Sequence, residues 1–135
     1  MMAGIHARDT IPERAVRRYL HARGLRFRLC VGELPGRPDL VLPKYNAVIF
    51  VNGCFWHQHP RCSNAKIPAS NANFWRAKFD ANVDRDSKAL LALGLDSWRV
   101  AIFWECAVRR SSIEAASLAK LERWLRSGRR FLEIP

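Results

Sequence analysis

No apolar run in this 135-residue chain approaches the roughly 20 residues needed to cross a bilayer. Its N-terminus, MMAGIHARDT, has no hydrophobic stretch leading to a small-residue cleavage site. Nothing therefore calls for membrane insertion or export, and the cytoplasm is the expected location. Low-complexity tracts, internal repeats and a visible linker are also missing. With 49% hydrophobic residues, disorder is not expected, and the length suits one ordinary core rather than two. A single domain over residues 1–135 is the expectation. Negative charge is scarce as well: 12 Asp+Glu stand against 23 Lys+Arg, a net +11 carried mostly by arginine.

That imbalance narrows the function classes. Arginine's planar fork suits phosphates and base edges, and a strongly basic domain is the usual electrostatic footprint of a nucleic-acid binder. Simple solubility is the plainer alternative, and composition does not separate DNA from RNA. The four cysteines, Cys30, Cys54, Cys62 and Cys106, lack a secretory context, which favours metal binding or catalysis over disulfides.

Thr10, Pro12 and Glu13 make a capping box that starts a helix over about 11–23, with Ala15, Val16, Tyr19 and Leu20 in helical period and Gly24 at its end. A short strand is expected over Phe27–Val31, then a loop over 32–38. Asp39–Leu42 and Ala47–Val51 read as a hairpin around PKYN. Residues 60–72 are loop-like. A long helix over about 73–93 carries Phe74, Ala77, Ala81, Leu90, Leu91 and Leu93 and closes at Gly94. SWRVAIFW, 97–104, is an apolar central strand. A last helix over about 112–127 places Leu118, Leu121, Trp124 and Leu125 on one face, and FLEI can add an edge strand. The order predicts an α/β fold, a mixed sheet flanked by helices.

Residues 53–62, GCFWHQHPRC, concentrate the chemistry. Cys54 and Cys62, one of the two histidines, and Cys106 just past the fourth strand form a Cys3His set of the kind that closes a structural zinc site. Buried thiols acting as small hydrophobes are the alternative, preferred for Cys30 inside its strand. Spacing does not say whether His57 or His59 is the ligand; the other can act as a general base or acid near neutral pH. Asp39, at the start of one hairpin strand, and a backbone carbonyl of its neighbour can hold Mg²⁺ against a phosphate. Glu13 and Asp86 are further carboxylates within reach, although Glu13 also serves its capping box and Asp86 can simply be solvated or pair with Arg85.

Taken together, LPGRPDLVLPKYNAVIFVNGCFWHQHPRC, the FW at 74–75, NVDRD at 82–86 and WRVAIFWECA resemble the very short patch repair (Vsr) endonucleases, which cut DNA at T:G mismatches. The similarity is colinear from Arg8 to about Arg109. It implies a restriction-endonuclease-like core of the PD-(D/E)xK type without the usual second acidic residue and lysine; no ExK follows the second strand here. It further implies that Asp39 and the Val51 carbonyl bind Mg²⁺, that His57 activates water, that Glu13 and Asp86 complete the acidic site, and that Cys54, His59, Cys62 and Cys106 are the zinc ligands. Phe55, Trp56 and Trp75 match aromatics that wedge into the duplex beside the mismatch, where unstacking is cheapest. Phe74 is expected in the core instead.

Two positions depart from the family pattern. Asn52 stands where a second catalytic histidine is usual; an amide hydrogen-bonds but does not titrate. The N-terminal arm, 1–9, is short, although Met2 matches a methionine that enters the minor groove. The resemblance thus implies a monomeric bacterial enzyme, close to the nucleoid, that nicks 5′ of T in T:G mispairs left by 5-methylcytosine deamination. A DNA cytosine-5 methyltransferase and general mismatch-repair proteins are its functional partners. Two rivals remain: a homing or defence nuclease with no mismatch preference, and a mismatch-binding protein weakened in chemistry by Asn52.

Overall fold

In the computed structural model the described residues are 10–29, 32–108 and 111–135. Cys30, Met2 and the remainder of the arm 1–9 lie outside them. Thr10 opens α1 (Ile11–Ala22): its hydroxyl accepts the Glu13 N–H at 3.4 Å, and Pro12 occupies the first turn, where a missing N–H costs nothing. Gly24, at φ +73°, turns the chain out of the helix. The strand expected over Phe27–Val31 is described only as β1 (Arg28–Leu29), with both residues exposed. β2 (Leu40–Leu42) and β3 (Ala47–Asn52) form the expected antiparallel hairpin, joined by a 3₁₀ turn at Pro43–Tyr45 and a left-handed Asn46.

After a loop come α2 (Ala72–Leu95), β4 (Arg99–Trp104), α3 (Ser111–Leu125) and β5 (Phe131–Ile134). The strands lie in the order β1-β2-β3-β4-β5, antiparallel up to β3 and parallel from β3 to β5. This is the mixed sheet the sequence predicts, with FLEI at its edge. Gly94 falls inside the last turn of α2 rather than ending it, and Ser97, at φ +66°, belongs to the turn before β4.

Strand periodicity sorts the side chains into two layers. Ile49, Val51, Ala101 and Phe103 face one side and are buried beneath α1 and α3; Val48, Val100, Ile102 and Trp104 face the other, beneath Leu93 of α2. The predicted face of α3 is confirmed: Leu118, Leu121, Trp124 and Leu125 are all buried. The predicted face of α2 holds only at its C-terminal end: Leu93 is buried and Leu90 packs against the core, but Ala77, Ala81 and Leu91 are exposed, and Phe79 and Ala89 are the other buried residues.

Two local features fix the layers. Gly36, at φ +74°, brings its loop so close to α2 that an added Cβ would sit 2.7 Å from the Ala89 Cβ and 3.2 Å from the Phe50 ring. Gly36→Ala is therefore expected to cost about 2–4 kcal/mol, from overpacking together with a disfavoured backbone; urea denaturation measures it. On the other layer the Glu122 carboxylate accepts from Tyr19 Oη at 2.6 Å, Arg23 Nε at 3.0 Å and Arg126 Nε at 3.1 Å, tying α3 to α1. The Tyr19 hydrogen bond, followed by that of Arg23, holds the Glu122 carboxyl down to about 2. Its stabilising effect is complete above the ordinary carboxylate range, near 4.5, and is lost as pH falls toward about 2. Glu122→Gln should lower the denaturation midpoint at pH 6 and converge with the parent near pH 2.

Candidate metal and nuclease site

The parallel register of β3 and β4 sets Asn52 opposite Trp104. Two residues beyond each lie Cys54 and Cys106, so the pairing that builds the sheet also delivers two thiols to one place. Cys62 and His59 complete the group, and the four ligand atoms lie within 4.8 Å of one another. His59 Nδ1 is 3.6 Å from both the Cys54 and Cys106 sulfurs. A tetrahedral ion with metal–sulfur bonds of about 2.3 Å and a metal–nitrogen bond of about 2.0 Å sets that edge at about 3.5 Å, close to the spacing seen. The cluster is thus a donor set able to hold one metal ion, and of the two histidines it includes His59, not His57.

The surroundings make the cluster rigid. The His59 ring stacks on Trp104 with centroids 4.2 Å apart, and Trp104 Nε1 donates to Glu133 on β5 at 2.7 Å. Glu105 accepts the Cys54 N–H at 2.9 Å. Burial pushes the Cys54 and Cys106 thiols up and the His59 imidazole down. A bound cation reverses that preference for the thiols, which ligate as thiolates. Gln58 and Arg61 both have positive φ, so the loop adopts costly backbone conformations that its own hydrogen bonds, such as Gln58 Nε2 to the Phe55 carbonyl at 2.7 Å, help to hold. Sequence reasoning passed over Glu105 and Glu133. Glu105 lay within the quoted WECA; nothing in the local pattern marked Glu133.

A second group forms beside the loop. Asp39 begins at the edge of β2: its N–H donates to the Ile49 carbonyl at 2.9 Å, and its carboxylate accepts the Val51 N–H at 2.6 Å. In an extended strand the N–H and C=O of one residue point to the same side, which puts the Val51 carbonyl on the Asp39 side as well. Burial raises Asp39 to about 7, against the Val51 hydrogen bond; the nearby Glu13 carboxylate adds to the rise and His57 opposes it. Glu13, Asp39 and His57 are therefore electrostatic neighbours. The His57 Nδ1 lies 2.7 Å from Asp86 on α2. Asp86 remains partly exposed but pairs with His57, while the Arg85 guanidinium bonds the Asn82 side chain. Asn52 is buried at the end of β3.

The aromatic residues gather on the outer side of the same loop. Phe55 meets Trp56, Trp75 and Phe79 edge-on with centroids 4.9–5.6 Å apart, and Trp75 stacks on Phe79. Phe55, Trp56 and Trp75 are half-buried. Phe74, expected in the core, is 57% exposed, because its position on α2 points away from both sheet and loop; Phe79 fills the core at 2%.

A family profile described as DNA mismatch endonuclease Vsr matches residues 1–64. Among curated relatives, the Type II nicking enzyme V.XorIIP of Xanthomonas oryzae pv. oryzae is 42% identical over 127 residues, covering 94% of this chain and 88% of that protein. The DNA mismatch endonuclease Vsr of Escherichia coli is 42% identical over 126 residues, covering 92% and 80%. The Type II nicking enzyme V.NmeAIP of Neisseria meningitidis is 38% identical over 123 residues, covering 91% and 87%.

Proposed function

The chain belongs to the DNA mismatch endonuclease Vsr family, and from that premise we propose that it is a Mg²⁺-dependent endodeoxyribonuclease that nicks one strand 5′ of T in T:G mispairs. The observation that carries this reading is the division of labour within residues 53–62. Its residues divide among a four-ligand cluster (Cys54, His59, Cys62), the aromatic group (Phe55, Trp56) and the carboxylates (His57). In this account the chain is one domain with a restriction-endonuclease-like core, acting as a monomer. 5-Methylcytosine deamination generates its substrate, which ties it to a DNA cytosine-5 methyltransferase and to mismatch-repair proteins.

Three thiolates and an imidazole in a closed set suit zinc in a structural role. Asp39 suits a hard cation: its carboxylate is largely buried beside that of Glu13, a repulsion that His57 offsets in part, and the Val51 carbonyl adds an oxygen ligand. When bound, Mg²⁺ supplies charge stabilisation at the phosphate. The chain's own residues do the remainder. Asp86 fixes the orientation of the His57 ring through Nδ1, and His57 takes the proton of the attacking water. Phe55, Trp56 and Trp75 enter the stack beside the mispair, and Met2 from the arm approaches the minor groove. Arginines on the surface hold phosphates. Asn52 contributes a hydrogen bond but no proton transfer, which favours a second reading in which binding outlasts efficient chemistry.

The test is product mapping on a labelled T:G duplex with and without Mg²⁺. A single Mg²⁺-dependent nick on the T strand supports the proposal; a double-strand cut, or no cut with any divalent cation, refutes it. If only Asn52→His cuts, the second reading replaces the first.

A further inference from the structure

One face of α2 carries Trp75, Phe79, Asn82, Asp86, Ala89 and Leu93, spaced alternately four and three residues apart, so that all six lie along one stripe. Ala89 and Leu93 bury against the rest of the core, and Trp75 and Phe79 hold the aromatic group. The two polar members between them both grip the loop 53–59. Asp86 takes the His57 ring, while the Asn82 Nδ2 donates to the Trp56 carbonyl at 3.0 Å. That carbonyl belongs to the peptide linking Trp56 to His57. The Asn82 oxygen is engaged by Arg85, which fixes the amide with its NH₂ group toward the loop.

We propose that Asn82 is a positioning residue that locks the Trp56–His57 peptide to α2, so that seating of the aromatic wedge and placement of the His57 ring are one event. The inference rests on His57 acting in the reaction and on Trp56 entering the duplex. Without the Asn82 donor the peptide keeps its bond within the loop, from the His57 N–H to the Gly53 carbonyl at 3.1 Å, but loses its tie to α2; a small displacement of His57 is then enough to lower the rate while the remaining aromatic contacts keep the DNA bound. Asn82→Ala removes the donor at a partly exposed helix position, where alanine preserves the helix; Asn82→Asp keeps the shape and replaces the donor by an acceptor.

Single-turnover nicking of a T:G duplex at saturating enzyme should fall about 10–100-fold in both variants. The apparent Kd for the duplex should stay within about threefold for Asn82→Ala, and thermal melting should be unchanged. NMR of the imidazole protons supplies a readout that a purely structural role would not give: the His57 ring resonances should move in Asn82→Ala while those of His21 stay in place. An unchanged rate, or a rate loss with unmoved His57 resonances, overturns the proposal and leaves the nuclease assignment standing. If His57→Ala nicks at the parent rate, the assignment of His57 fails, and this inference fails with it.

Discussion

Asp39→Asn is expected to separate activity from stability, lowering Mg²⁺-supported nicking by at least about 10³-fold while raising the melting temperature above pH 7 in the absence of added divalent cation. The loss of rate follows from removing a carboxylate that would hold the cation, whose charge stabilisation is worth several kcal/mol. The gain in stability follows from the same burial. In the unfolded chain Asp39 ionises near 3.8, whereas in the fold it holds its proton up to about 7. Between those values the folded state retains a proton that the unfolded state has released, so stability falls as pH rises through the interval and the full cost is present above about 7. That cost is on the order of 4 kcal/mol.

Asparagine has no proton to lose and still offers an oxygen to the Val51 N–H. The two proteins should therefore melt together near pH 4, and the variant should melt higher at pH 8, by about 10 °C for a domain of this size. Thermal unfolding across that range, paired with a nicking assay, checks both halves. Retained nicking, or equal melting at pH 8, would contradict the role given to Asp39.

Removing the metal should be nearly as severe. The native protein is expected to carry one zinc ion per chain by elemental analysis, and Cys54→Ala to carry none. Melting should drop by at least about 10 °C in that variant, with nicking lost because the loop that holds Phe55, Trp56 and His57 has no regular structure of its own. Cys54 is also fully buried, so part of its loss would be packing alone. Chelation of the unaltered protein separates the two effects. A comparable drop there assigns the stability to the metal, and an unmoved melting temperature assigns it to packing.

The sheet and α3 were readable from sequence because their apolar residues keep a regular period: Val48 to Val51 and Val100 to Trp104 alternate between two buried layers, and Leu118, Leu121, Trp124 and Leu125 recur on one helix face. α2 was misread for the opposite reason. Its inward stripe is interrupted by Asn82 and Asp86, so hydrophobicity found Leu90 and Leu93 correctly but also pointed to Phe74, Ala77, Ala81 and Leu91, which are exposed. The break in the pattern there falls on side chains that bond the 53–59 loop rather than fill the core. The proposed site divides in the same way. The cysteines could be grouped by chemistry and spacing; spacing left His57 and His59 open, the family resemblance pointed to His59, and the fold of the loop brings His59 to the three cysteines. The partner of Asp86 lies 29 residues away, and no local rule connects them.

The central claim, that this loop reads a mispair and presents it to a nuclease site, is tested most directly by one comparison. Single-turnover nicking is measured on three duplexes of identical flanks that differ only at one pair, T:G, T:A or C:G, with Mg²⁺ present. If unstacking at the mispair is a source of selectivity worth a few kcal/mol, the T:G duplex should be nicked at least about 100-fold faster than either matched duplex, and only on the T strand. Equal rates on all three would contradict it.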